Sequence, residues 1–335
     1  MKNIKTLIAA VFISTAFISY SQNSKEDFYG MWTLEIENGG VGWLEVHDKY
    51  GFMDADLLWR GGSVVPVANV YFKDDKNLVV TRVRNVTREV PNDKERTHVI
   101  TLTFNFKRNG DKLQGVMTQP ARDGMSVQET KFKGWRLPDP GEAPDLSEIE
   151  YGDPIRLFNG KNLLGWELVN PKHASGFKVI DGILVNDPAP KEGKQVHYGN
   201  LKTTRKFEDF NLQLEVNVPK GSNSGIYLRG MYEIQVLDSY GKEPDSHNMG
   251  ALYSRITPST AAEKPAGEWQ KLDITLYKRH LTVNLNGVNI IDNQPVYGPT
   301  GGAIIADVFE PGPIYLQGDH GKVKYRNIVL TPIVE

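Results

Sequence analysis

Side chains able to bind and transfer protons alternate with apolar ones along the second half of the chain. In Tyr232–Leu237, Ile234 and Val236 alternate with Glu233 and Gln235. Successive side chains of a strand point to opposite faces, so we expect the polar members to share one face and the apolar members to pack inside. Three further segments repeat this pattern, and their polar members are Gln213, Glu215, Asn217, Tyr227, Arg229, Tyr315 and Gln317.

The composition of this expected face favours a carbohydrate groove. Carboxylates and amides bind hydroxyl groups, and aromatic rings pack against the apolar faces of sugars. Gly225, Gly230 and Gly318 would allow a ligand or backbone to approach closely. Alternation alone is also typical of a plain solvated sheet face. The enrichment in Gln, Tyr, Arg and Glu is what favours a ligand site.

The elements that must position these groups belong to a chain of 335 residues with a formal net charge of −2 and no Cys. This length predicts about two domains of roughly 100–200 residues each. No basic block is present, so nucleic acid and membrane are not expected partners. The absence of Cys excludes disulfides, thiolate metal sites and Cys nucleophiles.

The N-terminus has the pattern of a signal peptide over residues 1–21. Lys2 and Lys5 precede the apolar run 7–18, and small residues follow it. The apolar run is too short to span a bilayer. We therefore expect a secreted or periplasmic protein that is soluble after cleavage.

Strand patterns continue through both halves, so the predicted fold class is all-β. In residues 25–136, alternation with Asn-Gly turns predicts a small antiparallel β-barrel or meander. Its Gly30-Met31-Trp32 resembles the opening motif of lipocalin-like barrels. The Pro-rich stretch 137–153 predicts an extended linker or an ordered strap. Closely spaced strands in 154–335 predict a two-sheet sandwich.

Several segments of 154–335 together resemble the 3-keto-disaccharide hydrolase domain family, over roughly residues 153–333. The matching segments include LFNGKNLLGWE (157–167), GNLKTTRKFEDFNLQLEV (199–216), NSGIYLRG (223–230), YEIQVLD (232–238) and GPIYLQGDHGKVKYRNI (312–328). The resemblance implies a concanavalin-like jelly roll. It also implies cleavage of glycosides that a separate oxidoreductase has first oxidised at C3.

A C3 ketone acidifies the proton on C2, so a base can remove that proton and the C1 aglycone can leave by β-elimination. Water addition then gives net hydrolysis. This chemistry needs a base, an electrophile for the enolate oxygen and an acid for the leaving group. We predict Glu233 as base, His320 as acid and Arg229 as electrophile. The predicted substrate-binding residues are Gln235, Gln317, Tyr227, Tyr315, Glu215, Lys202 and Asp238.

A divalent metal ion is a possible cofactor, because it would also polarise the ketone. Glu233 and His320 are its candidate ligands, although the sequence has no closely spaced metal motif.

Two other functions fit the same pattern. A non-catalytic carbohydrate-binding protein would have the same sandwich and groove. A laminarinase-type retaining glycosidase would need two carboxylates on one face of a strand. Glu233 and Asp238 are five positions apart and are expected on opposite faces, which ranks the glycosidase last.

Overall fold

The computed structural model describes residues 25–90, 94–188 and 196–334, so the predicted signal peptide lies outside the described residues. Two 3₁₀ helices, Lys25–Phe28 and Leu146–Glu148, are the helices of these ranges, and their other regular elements are strands. Neither helix is long and apolar enough to cross a membrane. The all-β prediction is confirmed.

Nine strands form the first sheet within the described part of residues 25–137. They are β1 Gly30–Ile36, β2 Val41–Lys49, β3 Phe52–Trp59, β4 Val65–Pro66, β5 Asn69–Asp74, β6 Asn77–Val90, β7 Lys94–Asn109, β8 Lys112–Pro120 and β9 Val127–Leu137. Their hydrogen-bonded order is β4-β3-β2-β1-β9-β8-β7-β6-β5. Every neighbouring pair is antiparallel.

The segment 65–74 closes this sheet into a barrel. Its first part, β4, pairs with β3, and its second part, β5, pairs with β6 at the opposite edge. Between them, Val67 N donates to Ala55 O at 3.0 Å and Ala68 N donates to Thr81 O at 2.7 Å. Both edges are therefore hydrogen-bonded to one continuous segment, which leaves the barrel without a free edge there.

Trp32 of the opening motif is part of the barrel core. Trp32 is fully buried, and its Nε1 donates to Phe28 O at 2.8 Å. The Arg136 guanidinium lies 4.2 Å from its ring centroid. Arg136 also donates to Tyr29 O at 2.8 Å and to Asp27 O, which attaches the first helix to the last strand.

Sixteen strands follow among the described residues of the second half. They are β10 Glu150–Tyr151, β11 Ile155–Arg156, β12 Trp166–Leu168, β13 Ala174–Ser175, β14 Phe177–Ile180, β15 Ile183–Asn186, β16 Tyr198–Gly199, β17 Leu201–Thr203, β18 Phe210–Asn217, β19 Asn223–Leu228, β20 Tyr232–Leu237, β21 Trp269–Tyr277, β22 His280–Leu285, β23 Val288–Pro295, β24 Tyr315–Leu316 and β25 Val323–Val334.

These strands form a two-sheet sandwich, as predicted. The groove sheet has the order β12-β17-β24-β19-β20. The back sheet has the order β14-β15-β25-β18-β21-β22-β23, and β10 and β11 pair with β25. Leu212 and Leu214 of the back sheet and Ile226 and Ile234 of the groove sheet belong to one buried cluster. Apolar faces of both sheets thus meet in a shared core.

The Pro-rich segment runs along the sandwich as an ordered strap. Arg279 Nη1 donates to Pro138 O at 2.8 Å, and Asn293 Nδ2 donates to Pro144 O at 2.9 Å. Glu150 and Tyr151 then pair with the end of β25. Of the two possibilities for this segment, these contacts support the strap.

We expect Arg136→Ala to lower the free energy of unfolding by about 2–4 kcal/mol, because it removes a cation–π contact and two buried hydrogen-bond donors. Urea unfolding followed by Trp fluorescence measures this change. Lys133→Ala is the control, since Lys133 forms only an exposed ion pair with Glu35 and should change stability by less than about 1 kcal/mol. Equal effects of the two variants would contradict this role of Arg136.

Candidate active site

One row of side chains crosses the groove sheet on its outer face. Strand register places Glu167 opposite Lys202, Lys202 opposite Tyr315, Tyr315 opposite Tyr227 and Tyr227 opposite Glu233. Residues directly opposite in register point to the same face of a sheet. Glu233, Tyr227 and Tyr315 therefore share one face, as predicted, and Lys202 lies in the same row.

A second row lies beside the first and includes a glycine, Gly225. Gln317 N donates to Gly225 O at 2.9 Å, and Gly225 lies opposite Gln235. A Cβ at Gly225 would lie 2.3 Å from Glu233 Oε1. The missing side chain at Gly225 therefore makes room for the carboxyl group of Glu233, which leans over its backbone.

Burial raises the pKa of Glu233 from its ordinary value of 4.5 to about 8. The side chain is only 4% exposed. The hydrogen bond from Tyr227 and the charge of His320 oppose this rise, and the charge of Asp319 adds to it. Glu233 is thus a carboxyl group that is mostly protonated at neutral pH and becomes a comparatively strong base when it ionises.

Tyr227 stands between Glu233 and a backbone carbonyl. Its hydroxyl lies 2.8 Å from Glu233 Oε2 and 2.7 Å from Gly301 O. A phenol has one proton and can donate to only one of these groups at full strength. It can donate to Gly301 O while Glu233 is protonated, and to Oε2 when Glu233 is ionised. The same hydroxyl therefore serves both protonation states of the carboxyl group.

Three oxygens on this face lack a hydrogen-bond partner among the described residues. Gln317 Oε1 and Asn223 Oδ1 are buried atoms without a partner, and Glu233 Oε1 lies over Gly225 with no hydrogen bond of its own. Buried acceptors are normally paired, with a ligand or water where protein donors are absent. Hydroxyl groups of a sugar would supply the missing donors.

His320 lies on the loop that follows β24. Its Nδ1 is 2.8 Å from Asp319 Oδ1, and about half of its side chain is exposed. The hydrogen bond to Asp319 raises the pKa of His320, and the charge of Glu233 contributes in the same direction. His320 therefore keeps its proton up to a higher pH than a free imidazole does.

A buried amide fixes the loop that carries His320. Asn186 Nδ2 donates to Gly318 O at 3.1 Å and to Gly321 O at 3.0 Å, on either side of the histidine. A Cβ at Gly318 would lie 2.3 Å from Gly199 O. Gly318 is thus part of a closely packed turn.

The two tyrosines do not form an open platform for sugar stacking. The rings of Tyr227 and Tyr315 stack on each other, with centroids 3.8 Å apart and planes at 9°. Both are 1% exposed, and the Tyr315 hydroxyl donates to Gly302 O at 2.9 Å. These positions do not support their predicted role in binding substrate directly, because residues 301 and 302 cover their hydroxyl ends.

Two predicted residues lie away from this face. Glu215 is on β18 of the back sheet, where Arg326 and Asn327 bind its carboxylate at 2.6 Å each. Arg229 lies in a left-handed turn after β19, with a φ of 54°. Its Nη2 donates to Val308 O at 2.6 Å and to Glu310 O at 2.7 Å. The predictions of Glu215 as a sugar ligand and Arg229 as the electrophile are not supported by these positions.

Two other predicted binding residues have structural partners. Asp238 Oδ2 accepts a hydrogen bond from Gly221 N at 2.8 Å, which is a turn contact at the end of β20. Gln235 shares the face of Glu233, but its Nε2 donates to His247 O at 3.2 Å and the side chain is 4% exposed. Gln235 therefore holds the segment that covers it.

Lys202 remains partly accessible at the other end of the first row, where its Nζ lies 2.8 Å from Glu167 Oε1.

No group of three or more His, Asp or Glu side chains in the described part of the chain is arranged to hold a metal ion. A metal shared by Glu233 and His320 stays a prediction.

The sequence analysis missed Asn223 and Asp319. Asn223 belongs to the same period-2 series as Gly225 and Tyr227, so extending that strand by one alternate position would have identified it. Asp319 stands next to His320 in the sequence. An acidic neighbour that can orient an imidazole is a signal that was available there.

A model of the 3-keto-alpha-glucoside-1,2-lyase-like domain matches residues 153–331, which is more than half of the chain. This chain belongs to that family. A 3-keto-disaccharide hydrolase from Bacteroides thetaiotaomicron is 29% identical over 167 residues, which are 41% of this chain. The match spans 57% of that relative's length.

Solved structures with similarity include a putative glycosyl hydrolase from Parabacteroides distasonis. It is 30% identical, with a TM-score of 0.43, covering 57% of this chain and 93% of that one. A carbohydrate-binding module from Bacillus subtilis is 13% identical, with a TM-score of 0.32, covering 49% of this chain and 93% of that one.

We expect Glu233→Gln to change how stability depends on pH. The pKa of Glu233 is raised to about 8 in the folded protein, so the stabilisation from its bound proton is complete below pH 4.5 and is lost as the pH rises through 8. Between pH 5 and 8, the Tm of the wild type should fall relative to that of the variant by roughly 5 °C.

Differential scanning fluorimetry across this pH range measures the effect. Glu208→Gln alters an exposed carboxylate of the same half and should keep the wild-type slope. Parallel curves for wild type and Glu233→Gln would show that Glu233 titrates normally.

Tyr227→Phe should raise the pKa of Glu233 further, because the lost hydrogen bond favours the ionised carboxylate. NMR titration of labelled Glu carboxyl carbons measures this, with the Glu233 resonance assigned by its loss in Glu233→Gln. Tyr315→Phe is the matched control, since its hydroxyl donates to Gly302 O rather than to Glu233. A similar shift in both variants would contradict the specific role of Tyr227.

Proposed function

We propose that the second half of the chain cleaves the glycosidic bond of a glycoside that carries a ketone at C3. The observation that carries this proposal is the Glu233 carboxyl group. It is buried, its pKa is raised to about 8, and its Oε1 lies over the backbone of Gly225 without a hydrogen bond to another described residue. Abstraction of a proton from carbon needs a base stronger than an ordinary carboxylate, and this environment supplies one.

In the proposed reaction, Glu233 Oε1 removes the C2 proton, and the C–H electron pair forms an enolate with the C3 oxygen. The enolate collapses to restore the ketone and form a C1=C2 bond. The C1–O bond breaks, and its electron pair leaves with the aglycone oxygen, which takes a proton from His320. Water can then add its hydroxyl to C1 and give its remaining proton to His320, while Glu233 returns its proton to C2, which makes the net reaction hydrolysis.

His320 suits the role of acid because its pKa is raised by Asp319 and by the charge of Glu233. The charge of each group acts on the pKa of the other, which supports a role for both beside one sugar ring. Gln317 and Asn223 would bind hydroxyls of that ring through their unpaired oxygens.

Lys202 and Glu167 are candidates for the aglycone rather than for the reacting ring. Lys202 stands three strands away from Glu233, which is about 14 Å at the usual strand spacing. Arg229 is not available as the electrophile, because loop carbonyls bind its guanidinium. His320 is therefore the candidate that donates a hydrogen bond to the enolate oxygen, before it protonates the leaving group.

The proposal also places the protein in a sequence of reactions. Its substrate must come from an oxidoreductase that oxidises the C3 hydroxyl of an intact glycoside. The predicted signal peptide would place this step outside the cytoplasm.

The test is incubation with a 3-keto-glucoside and with its unoxidised parent, each with and without a chelator. The wild type should release aglycone from the keto compound alone, with kcat/KM rising with pH toward about 8, where the pKa of Glu233 lies. Equal release from the parent would reject the keto mechanism. Binding without release from either compound would indicate a carbohydrate-binding protein.

Variants separate the two proton transfers. Glu233→Gln should lower kcat by about 10²–10⁴-fold and abolish exchange of the C2 proton in D₂O. His320→Asn should lower aglycone release but retain the exchange. Glu215→Gln is the matched control, since that carboxylate lies on the back sheet, and it should keep wild-type kcat. Retained exchange in Glu233→Gln would contradict its role as base.

A further inference from the structure

A loop of the barrel, residues 60–64, reaches the second half of the chain beside Glu233. We call it the barrel loop. Ser63 Oγ lies 2.9 Å from His247 Nε2, and Val64 N donates to Ser254 Oγ at 3.1 Å. Val64 also packs against the core of the sandwich. The barrel loop is thus attached to both ends of the segment 247–254, which we call the cover segment.

The barrel loop also packs against residues 300–302. Gly302 N donates to Arg60 O at 2.9 Å. A Cβ at Gly301 would lie 2.1 Å from Gly62 O and 2.7 Å from Gly62 N. The two backbones are therefore in direct contact, and no side chain fits between them.

The cover segment holds the main chain of β20. Tyr253 N donates to Glu233 O at 2.9 Å, and Gln235 N donates to Ala251 O at the same distance. Gly250 N donates back to Gln235 O at 2.9 Å. The cover segment therefore runs beside β20 as a hydrogen-bonded neighbour at the position of the catalytic carboxyl group.

Residues 300–302 also hold Glu233. Glu233 N donates to Thr300 Oγ1 at 2.9 Å, and this hydroxyl donates to Met231 O at 3.1 Å. Gly301 O accepts from the hydroxyl of Tyr227, which also contacts Glu233 Oε2. The backbone N–H, the backbone carbonyl and the carboxyl group of Glu233 are all bound, directly or through Tyr227, to segments that the barrel loop touches.

We propose that the barrel loop positions Glu233 for catalysis by holding the cover segment and residues 300–302 against β20. The inference rests on the proposed function of Glu233 and assigns a purpose to the barrel, which lies outside the family match. Ser63, Val64, Arg60 and Gly62 are positioning residues here, because they act on Glu233 through other groups.

Gly301→Ala tests the proposal by separating the two backbones. Gly301 has no left-handed φ, so the added methyl group is resisted mainly by the contact with Gly62 O. Gly61→Ala is the matched control, since Gly61 has no positive φ and a Cβ there meets nothing within 4 Å. We expect a loss of kcat of at least tenfold in Gly301→Ala, because misplacement by about 1 Å can cost about 10²-fold, and wild-type kcat in Gly61→Ala.

Hydrogen exchange measured by mass spectrometry supplies a readout that does not depend on activity. Amides of peptides covering residues 232–237 should exchange faster in Gly301→Ala than in the wild type or Gly61→Ala. The pH at which kcat/KM is half-maximal should also shift, because the Gly301 carbonyl shares the hydroxyl of Tyr227 with Glu233.

A substitution in the barrel loop provides a second test in case Gly301→Ala does not fold. Ser63→Ala removes the hydroxyl that contacts His247, and Ser63→Thr retains it. We expect Ser63→Ala to lower kcat about threefold, with KM little changed, and to speed exchange in 247–254 and 232–237. An effect of this size is expected for the loss of one hydrogen bond. Ser63→Thr should restore both values.

The outcomes distinguish this inference from the proposed function. If the wild type releases aglycone but Gly301→Ala and Ser63→Ala match it in kcat and in exchange, the barrel loop does not position Glu233. If exchange alone increases while kcat and its pH profile stay constant, the contact is structural and the inference is also wrong. A wild type that cleaves no keto-glycoside overturns the proposed function, and this inference with it.

Discussion

The hydroxyl of Tyr227 lies within hydrogen-bond reach of Glu233 Oε2 and of Gly301 O, in a place with almost no exposure to water. A carboxyl group in such a place resists ionisation because little solvent stabilises its charge. Tyr227 offsets part of this cost when the charge forms, since its proton can turn from the carbonyl to the carboxylate. The surrounding packing serves to keep this arrangement in place.

Several features of the sandwich follow from this requirement. Gly225 lacks the side chain that would occupy the space of Glu233 Oε1. The ring of Tyr315 stacks on Tyr227 at 3.8 Å and keeps its hydroxyl directed at residues 301 and 302. The loop after β24 brings His320 close enough for its charge to act on Glu233. The buried Glu233, its proton-donating neighbour Tyr227 and the half-exposed His320 thus lie on or beside different strands of one sheet.

The barrel extends the same support from outside the sandwich. Its core closes on itself, with Trp32 under the guanidinium of Arg136, so it does not need the second half to bury its interior. Its outward-facing residues Met31, Trp43 and Leu58 instead join the core of the second half. The barrel loop contacts residues 300–302 near Glu233 through the backbone of Gly62. A side chain at Gly301 would prevent this close contact.

The sequence by itself determined the strands and their faces, because the period of apolar residues follows directly from backbone geometry. The predicted bounds of Tyr232–Leu237 agree with the structure. Asp181-Gly182 and Asn286-Gly287 adopt the positive φ values that two-residue hairpin turns require. The faces of Glu233, Tyr227 and Gln317 were predictable strand by strand, because each lies at a polar alternate position of its own segment.

Tertiary structure alone decided which strands share a sheet and what covers the polar face. Glu215 has the same alternation as Glu233, but β18 pairs with β21 and β25 in the back sheet, so its carboxylate faces the opposite surface. Arg229 is two residues after Tyr227, so alternation predicts the same face for both. The strand ends at Leu228, however, and a left-handed turn redirects the side chain of Arg229. Alternation specifies the face of a strand but carries no information on its partners or on distant loops. Those depend on pairings between residues far apart in the chain, such as that of the barrel loop with residues 300–302.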